Sequence, residues 1–301
     1  MARRRTALVS VAFAAALTLA LTSTASAESG WWIPSNSPSV ESELNVSGEP
    51  IKGSSTNGEV SGYIDSHTHM FSNLGFGGGT ICGSPFSESG IADALKDCDG
   101  HETSLTENLM NSGAGRGPFD KHDPVGYPTF KDWPTPTSLT HQQMYYKWVE
   151  RSWRGGQRVM VNDLVTNSGL CVVAPLLSGK PNKYSCDDMD SIRRQLDAMR
   201  DVEAYVDRQY GGQGKGWFRI VNNPDDARAV IKQGKLAVVI GIEASEPFGC
   251  KQTLGIAGCS KADIDRGLDE MKAKGVSSMF LCHKFDNAPC GVRYDGGTTG
   301  I

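Results

Sequence analysis

Two histidines one residue apart, His67 and His69, follow the short apolar segment Gly62-Tyr63-Ile64, with Asp65 two residues before the first of them. Residues i and i+2 of a strand project to one face, so both imidazoles can reach a single cation at 2.0–2.1 Å. Two surface histidines on a loop would show the same spacing. The strand-like segment directly ahead of the pair is what favours a metal. Glu243 stands behind Val239-Ile240-Gly241-Ile242. A carboxylate at the end of an apolar run is costly to desolvate unless a cation or hydrogen bonds compensate it. Glu243 is therefore a candidate metal ligand; the alternative, a solvent-facing loop glutamate, rests on the unremarkable Ala244-Ser245-Glu246 that follows. His283 repeats the pattern behind Met279-Phe280-Leu281-Cys282 and could bind metal, orient a substrate carbonyl or cap the strand. The chemistry that fits these residue types is metal-assisted hydrolysis. Zinc suits an imidazole and carboxylate donor set, with manganese and iron as alternatives and one or two ions to be held. Such an ion lowers the pKa of bound water to about 7 and polarises an amide or ester carbonyl.

Strands alternating with helices must position these groups. A strand is expected at 158–161, and a long helix at Asp188–Gln209, with Ile192, Leu196, Met199, Val202 and Val206 at helical spacing and Gly211-Gly212 as its stop. A short strand follows at Trp217–Val221. The next helix has Asn223 as N-cap and Pro224 in its first turn, and runs to Lys232 before Gly234. Leu236–Ile240 reads as a strand buried on both faces. Ser260 caps a helix to Lys274, and Val276–Leu281 is the last strand expected. This order implies parallel βα units in an α/β fold. The carboxyl ends of the strands then carry His67, His69, Asn162, Asp163, Glu243 and His283, where such folds place their chemistry. Between the first two strands, residues 71–133 are dense in Gly and Pro and read as a long loop. A helix from Ser138 or Thr140 through Arg154 follows it. His101, His122 and His141 in this stretch read as structural. No G-x-S-x-G, P-loop or dinucleotide fingerprint occurs, which disfavours serine hydrolases and nucleotide binders.

The chain has 301 residues, 39% of them apolar and 21% charged, as in ordinary globular proteins. Arg3, Arg4 and Arg5, the apolar Ala7 to Leu21 and Ala25-Ser26-Ala27 together read as a secretory signal peptide of 27 residues. The arginines would also suit a twin-arginine exporter. Residues 28–60 read as a flexible segment, and 61–301 as the metallohydrolase domain with 71–157 as an insertion. Losing three arginines and no acid makes the exported chain more acidic than the net −4 of the whole. That balance, with no Lys/Arg cluster, argues against nucleic acid or an anionic membrane as partner. A small-molecule or peptide-like substrate is expected instead; the oligomeric state is open. Eight cysteines lie beyond the leader, and in an exported chain they read as four local disulfides, 82–98, 171–186, 250–259 and 282–290. The alternative, a metal-thiolate cluster, lacks any C-x-x-C.

Asp65-Ser66-His67-Thr68-His69 resembles the H-x-H signature of the amidohydrolase-like metal-dependent hydrolases, which are TIM barrels. Gly234-Lys235, Val239-Ile240-Gly241-Ile242-Glu243 and Phe280-Leu281-Cys282-His283-Lys284-Phe285-Asp286-Asn287 resemble the third and fourth strands of the membrane (renal) dipeptidase branch. The likeness spans roughly residues 62–70 and 215–290. It implies a (β/α)8 barrel, with His67 and His69 as zinc ligands, Glu243 bridging two ions and His283 touching the substrate. It also implies that the 71–157 insertion is shared with secreted actinobacterial relatives. Dipeptidases carry His-x-Asp where this chain has His-x-His. Only four strand units of the expected eight are readable, so the resemblance further implies an N-terminal half with an open sheet and too few metal ligands. A second expectation is a non-catalytic secreted binding protein, in which Phe119, Tyr127, Phe130 and Trp133 of the long loop stack on a carbohydrate or peptide.

Overall fold

The computed structural model describes residues 50–51, 53–98, 139–178 and 181–292. The leader, His101, His122 and the four loop aromatics lie outside the described residues. Strands β1 (Tyr63–Thr68), β2 (Gln157–Thr166), β3 (Phe218–Val221) and β4 (Leu236–Ala244) are joined by a two-stranded ribbon, β5 (Gln252–Thr253) and β6 (Ile256–Ala257), to β7 (Val276–Met279). Helices are α1 (Ile91–Ala94), α2 (Tyr146–Arg154), α3 (Ser168–Ser178), α4 (Asp188–Gln209), α5 (Pro224–Lys232) and α6 (Lys261–Ala273).

Every pairing in the main sheet is parallel, in the order β1-β2-β4. The far edge of β4 is shared, with β3 pairing along Leu236–Val239 and β7 along Ile240–Ile242. Among the described residues β1 is an edge, and its Tyr63 and Ile64 are exposed, as are Phe280 and Leu281 just beyond β7. The chain is thus a mixed α/β protein on a mainly parallel sheet.

The two faces of the sheet differ. Met160 and Leu164 of β2 and Val238, Ile240 and Ile242 of β4 alternate onto one face, where they share a core with Ile192, Leu196, Met199, Val202 and Val206 of α4. Trp153 of α2 stacks on Trp217 in the same core, with centroids 5.2 Å apart and planes 11° apart. On the other face α5 covers the amino-terminal half, packing Ile231 on Ala237 and Val221. The carboxyl-terminal half of that second face carries Glu243.

Several boundaries differ from the sequence reading. The helix expected from Ser138 or Thr140 begins only at Tyr146. The residues before it are drawn into an extended contact, Cys82 N–H to Thr140 O and Gln142 N–H to Cys82 O, and Gln142 also donates to Met70 O. β2 runs on through Thr166, so Asn162 and Asp163 lie inside the strand and not at its end; Val165 and Thr166 keep pairing with Glu243 and Ala244. Glu243 likewise precedes the last residue of β4, whereas β7 stops at Met279, short of the expected Leu281. Helix α3 and the β5–β6 ribbon were not foreseen. Residues 53–60, expected to be flexible, form a turn that Ser61 N–H closes on Gly53 O. The four disulfides pair as the spacing predicts, leaving no free cysteine. They fit an oxidising compartment. Among the described residues no helix is long and apolar enough to cross a membrane.

Candidate metal centre

Glu243 is the hub. Its carboxylate is almost wholly withdrawn from solvent, and three rings converge on it. His67 Nε2 lies 2.6 Å from Oε2, although the two residues are 176 apart in sequence. His69 Nε2 lies 3.4 Å from the same oxygen. His283 Nε2 lies 2.5 Å from Oε1. The His67 and His69 rings meet edge-on at 4.8 Å, and Phe280 covers the far side of His67 at 5.6 Å. Each is delivered by a strand end or the turn after it, β1 for the pair, β4 for the acid and the segment beyond β7 for His283.

Burial works against ionisation of Glu243, yet the hydrogen bond and charge of His283, with His69 and His67, outweigh it and hold the carboxyl down at about 2. Burial, above the attraction of Glu243, pulls the His69 imidazolium pKa below its ordinary value. His69 therefore favours the neutral ring that a metal needs. Its Nδ1 lies 2.9 Å from Asp163 O, so Nδ1–H donates there and Nε2 is left as the lone-pair nitrogen facing Glu243. An imidazole fixed through its second nitrogen is the usual state of a metal-ligating histidine.

One donor atom each from His67, His69 and Glu243 lies within 4.8 Å of the others. In a tetrahedral shell with bonds of 2.0–2.1 Å neighbouring donors sit roughly 3.3 Å apart. The His69–Glu243 separation already matches that figure, and the His67–Glu243 one must widen by less than 1 Å. The donor set and its spacing fit a divalent ion. The described residues give this centre three candidate donors of the expected set, with His283 on the other oxygen of the acid.

Asp163 belongs here too. Its Oδ1 is buried without a hydrogen-bond partner, and the side chain overlies Gly241, where an added Cβ would overlap that oxygen. Burial, with the Glu243 charge adding to it, pushes its carboxyl up to about 6. Asn162 goes elsewhere: its Oδ1 accepts from Met70 N–H on the helix-covered face. Asp65 Oδ1 accepts from His67 N–H across the register irregularity of β1 between Asp65 and Thr68.

The loop carrying His283 is held by residues that looked unremarkable in sequence. Ser245 Oγ–H donates to His283 O at 2.6 Å, Asn167 Nδ2 donates to Ser245 Oγ at 2.6 Å, and Asn287 Nδ2 bridges Ser245 O and Leu281 O. Buried polar side chains directly after two apolar strands were the available signal. His141 is buried away from the centre, beside Cys82. Compared with known proteins, the chain matches no family model, and neither a curated protein nor a solved structure is significantly similar to it.

Proposed function

We propose that the protein is an exported metal-dependent hydrolase of amide or ester bonds, built on TIM-barrel-type βα units and related to the amidohydrolase-like enzymes through its dipeptidase-like motifs. The observation that carries this is the convergence of His67, His69 and Glu243 donor atoms within 4.8 Å, from strands far apart in sequence. His67, His69 and Glu243 would hold a divalent ion, zinc by its donor preferences. When bound, such an ion supplies an activated water near neutral pH and polarisation of the scissile carbonyl. The remaining work falls to the chain. Glu243 stays ionised as the anionic wall of the site, and the Asp163 carbonyl keeps His69 in the tautomer that presents Nε2. His283 stands against Glu243 Oε1 with its loop pinned through Ser245, and its ring would turn from that acid to meet a substrate carbonyl oxygen. Phe280 shields His67 from one side and gives an acyl group an apolar surface.

The test is hydrolysis of a dipeptide and ester panel by the zinc-loaded protein, with and without a chelator, beside His67→Ala. Zinc-dependent turnover that falls at least 100-fold in the variant is the expected result. Turnover untouched by chelation would overturn the reading.

A further inference from the structure

Asp163 is a buried acid whose Oδ1 meets no hydrogen-bond donor among the described residues. We propose that it is a fourth protein donor to the ion held by His67, His69 and Glu243, completing a set of two nitrogens and two carboxylates. The inference rests on the metal-hydrolase reading and goes beyond it, because no motif assigns a ligand to β2.

Four observations place it. β2 and β4 run in register with Asp163 opposite Gly241 and Val165 opposite Glu243, so Asp163 and Glu243 share one face of the sheet, two residues apart along the strand direction. Gly241 carries no side chain in the space between them, and the Asp163 carboxylate lies over that gap, which any Cβ would fill. A glycine inside a strand marks such a close approach. The backbone of Asp163 already orients a ligand, since its carbonyl accepts from His69 Nδ1 at 2.9 Å. Finally, Oδ1 is sealed from solvent with no donor facing it, and Asp163 as a whole is only 2% exposed. An unmatched buried carboxylate oxygen destabilises a fold by kilocalories unless something compensates it. In the chain alone only the charge of His67 offsets it, without a hydrogen bond to Oδ1; a cation beside Glu243 would do so directly. The acid is therefore a destabilising feature of the metal-free protein that becomes favourable on loading.

The role has an unusual signature: removing the charge should weaken metal binding and strengthen the metal-free fold. Zinc affinity of the whole disulfide-bonded chain is measured by competition with a chromophoric chelator, and urea unfolding is followed on zinc-free samples. Asp163→Asn should bind zinc 10- to 100-fold more weakly, while its zinc-free urea midpoint rises above that of the parent. Gly241→Ala retains the carboxylate but displaces it. It should weaken zinc to a similar extent while lowering the midpoint. Cobalt loading gives a third reading that does not depend on stability, because loss of one oxygen donor alters the visible d–d bands in either variant. If Asp163→Asn binds zinc as tightly as the parent with unchanged cobalt bands, the inference fails and the His67–His69–Glu243 reading stands. A fall in both affinity and zinc-free stability in Asp163→Asn would mark a merely structural residue and also overturn it. A parent chain that binds no zinc removes both readings together.

Discussion

Ser245 shows how a small side chain can govern a larger one. It is buried, receives a hydrogen bond from Asn167 and passes one to the backbone carbonyl of His283, which fixes the stretch of chain that carries the imidazole. Ser245→Ala should cost 10- to 100-fold in turnover, the usual effect of losing an outer partner of a metal site. Steady-state kinetics on a hydrolysed ester checks it, and an unchanged rate would mean that His283 needs no support. A second residue, Asp188, gives a pH signature. Burial, then the charges of Glu246 and Asp187, raise its carboxyl to about 6 although Glu246 N–H donates to it. Its ordinary value is 3.8, so the folded state binds the proton more tightly than the unfolded one. The charged form thus destabilises the fold: its cost is absent below about pH 4, grows between pH 4 and 6, and is complete above that. Asp188→Asn should remove this decline, gaining on the order of 1–3 kcal/mol at pH 7 and nothing at pH 4. Urea titrations at the two pH values measure it. At this scale the histidines and Glu243 were legible because they stand out against apolar runs. Ser245, Asn167 and the role of Gly241 were not, since they act through neighbours that only the register brings together.

Among the elements, the well-marked helices could be read almost to the residue. Helix α4 spans Asp188–Gln209 as its apolar spacing implies, with Asp187 accepting from Asp190 N–H as its N-cap. Helix α5 begins at Pro224 behind the Asn223 cap, and α6 carries a full Ser260–Asp263 capping box. Local chemistry decides such ends, so sequence is enough. Helix α3 escaped because Val172-Val173 and Pro175 argue against a helix; here the Cys171–Cys186 bond and Leu170 N–H to Asn167 Oδ1 hold it. The start of α2 escaped because Thr140–Gln142 are captured by Cys82, a tertiary contact without local signature. Leu196 sits fully buried at the middle of α4 against the sheet. Leu196→Ala should cost about 2–5 kcal/mol in urea unfolding, as buried leucine truncations do. A loss under 1 kcal/mol would mean that α4 is not the main cover of that face.

For the molecule as a whole, ion binding and folding would be linked, because the proposed ligands come from β1 and the turn after it, from β4 and from β2, and the site exists only when these are assembled. A ligand confined to the native state stabilises it by about 2.7 kcal/mol at a hundred times its dissociation constant. For a chain of this size that is roughly 5–10 °C in melting temperature. Zinc should raise the calorimetric midpoint of the chain by that amount, a chelator should reverse it, and Glu243→Gln should abolish it. An absent shift in the parent chain would count against a native-state ion site. The parallel βα order was readable from the alternation of elements, whereas the sharing of one β4 edge by β3 and β7 was not, because strand order is set by packing far along the chain.

The cross-links follow a simple rule. Each cysteine is joined to the next one along the chain, at separations of 16, 15, 9 and 8 residues, and no loop encloses another. A polypeptide threading amino end first into an oxidising space would therefore expose each thiol's correct partner before any competitor arrives. Successive oxidation in order of emergence would yield the native set without shuffling.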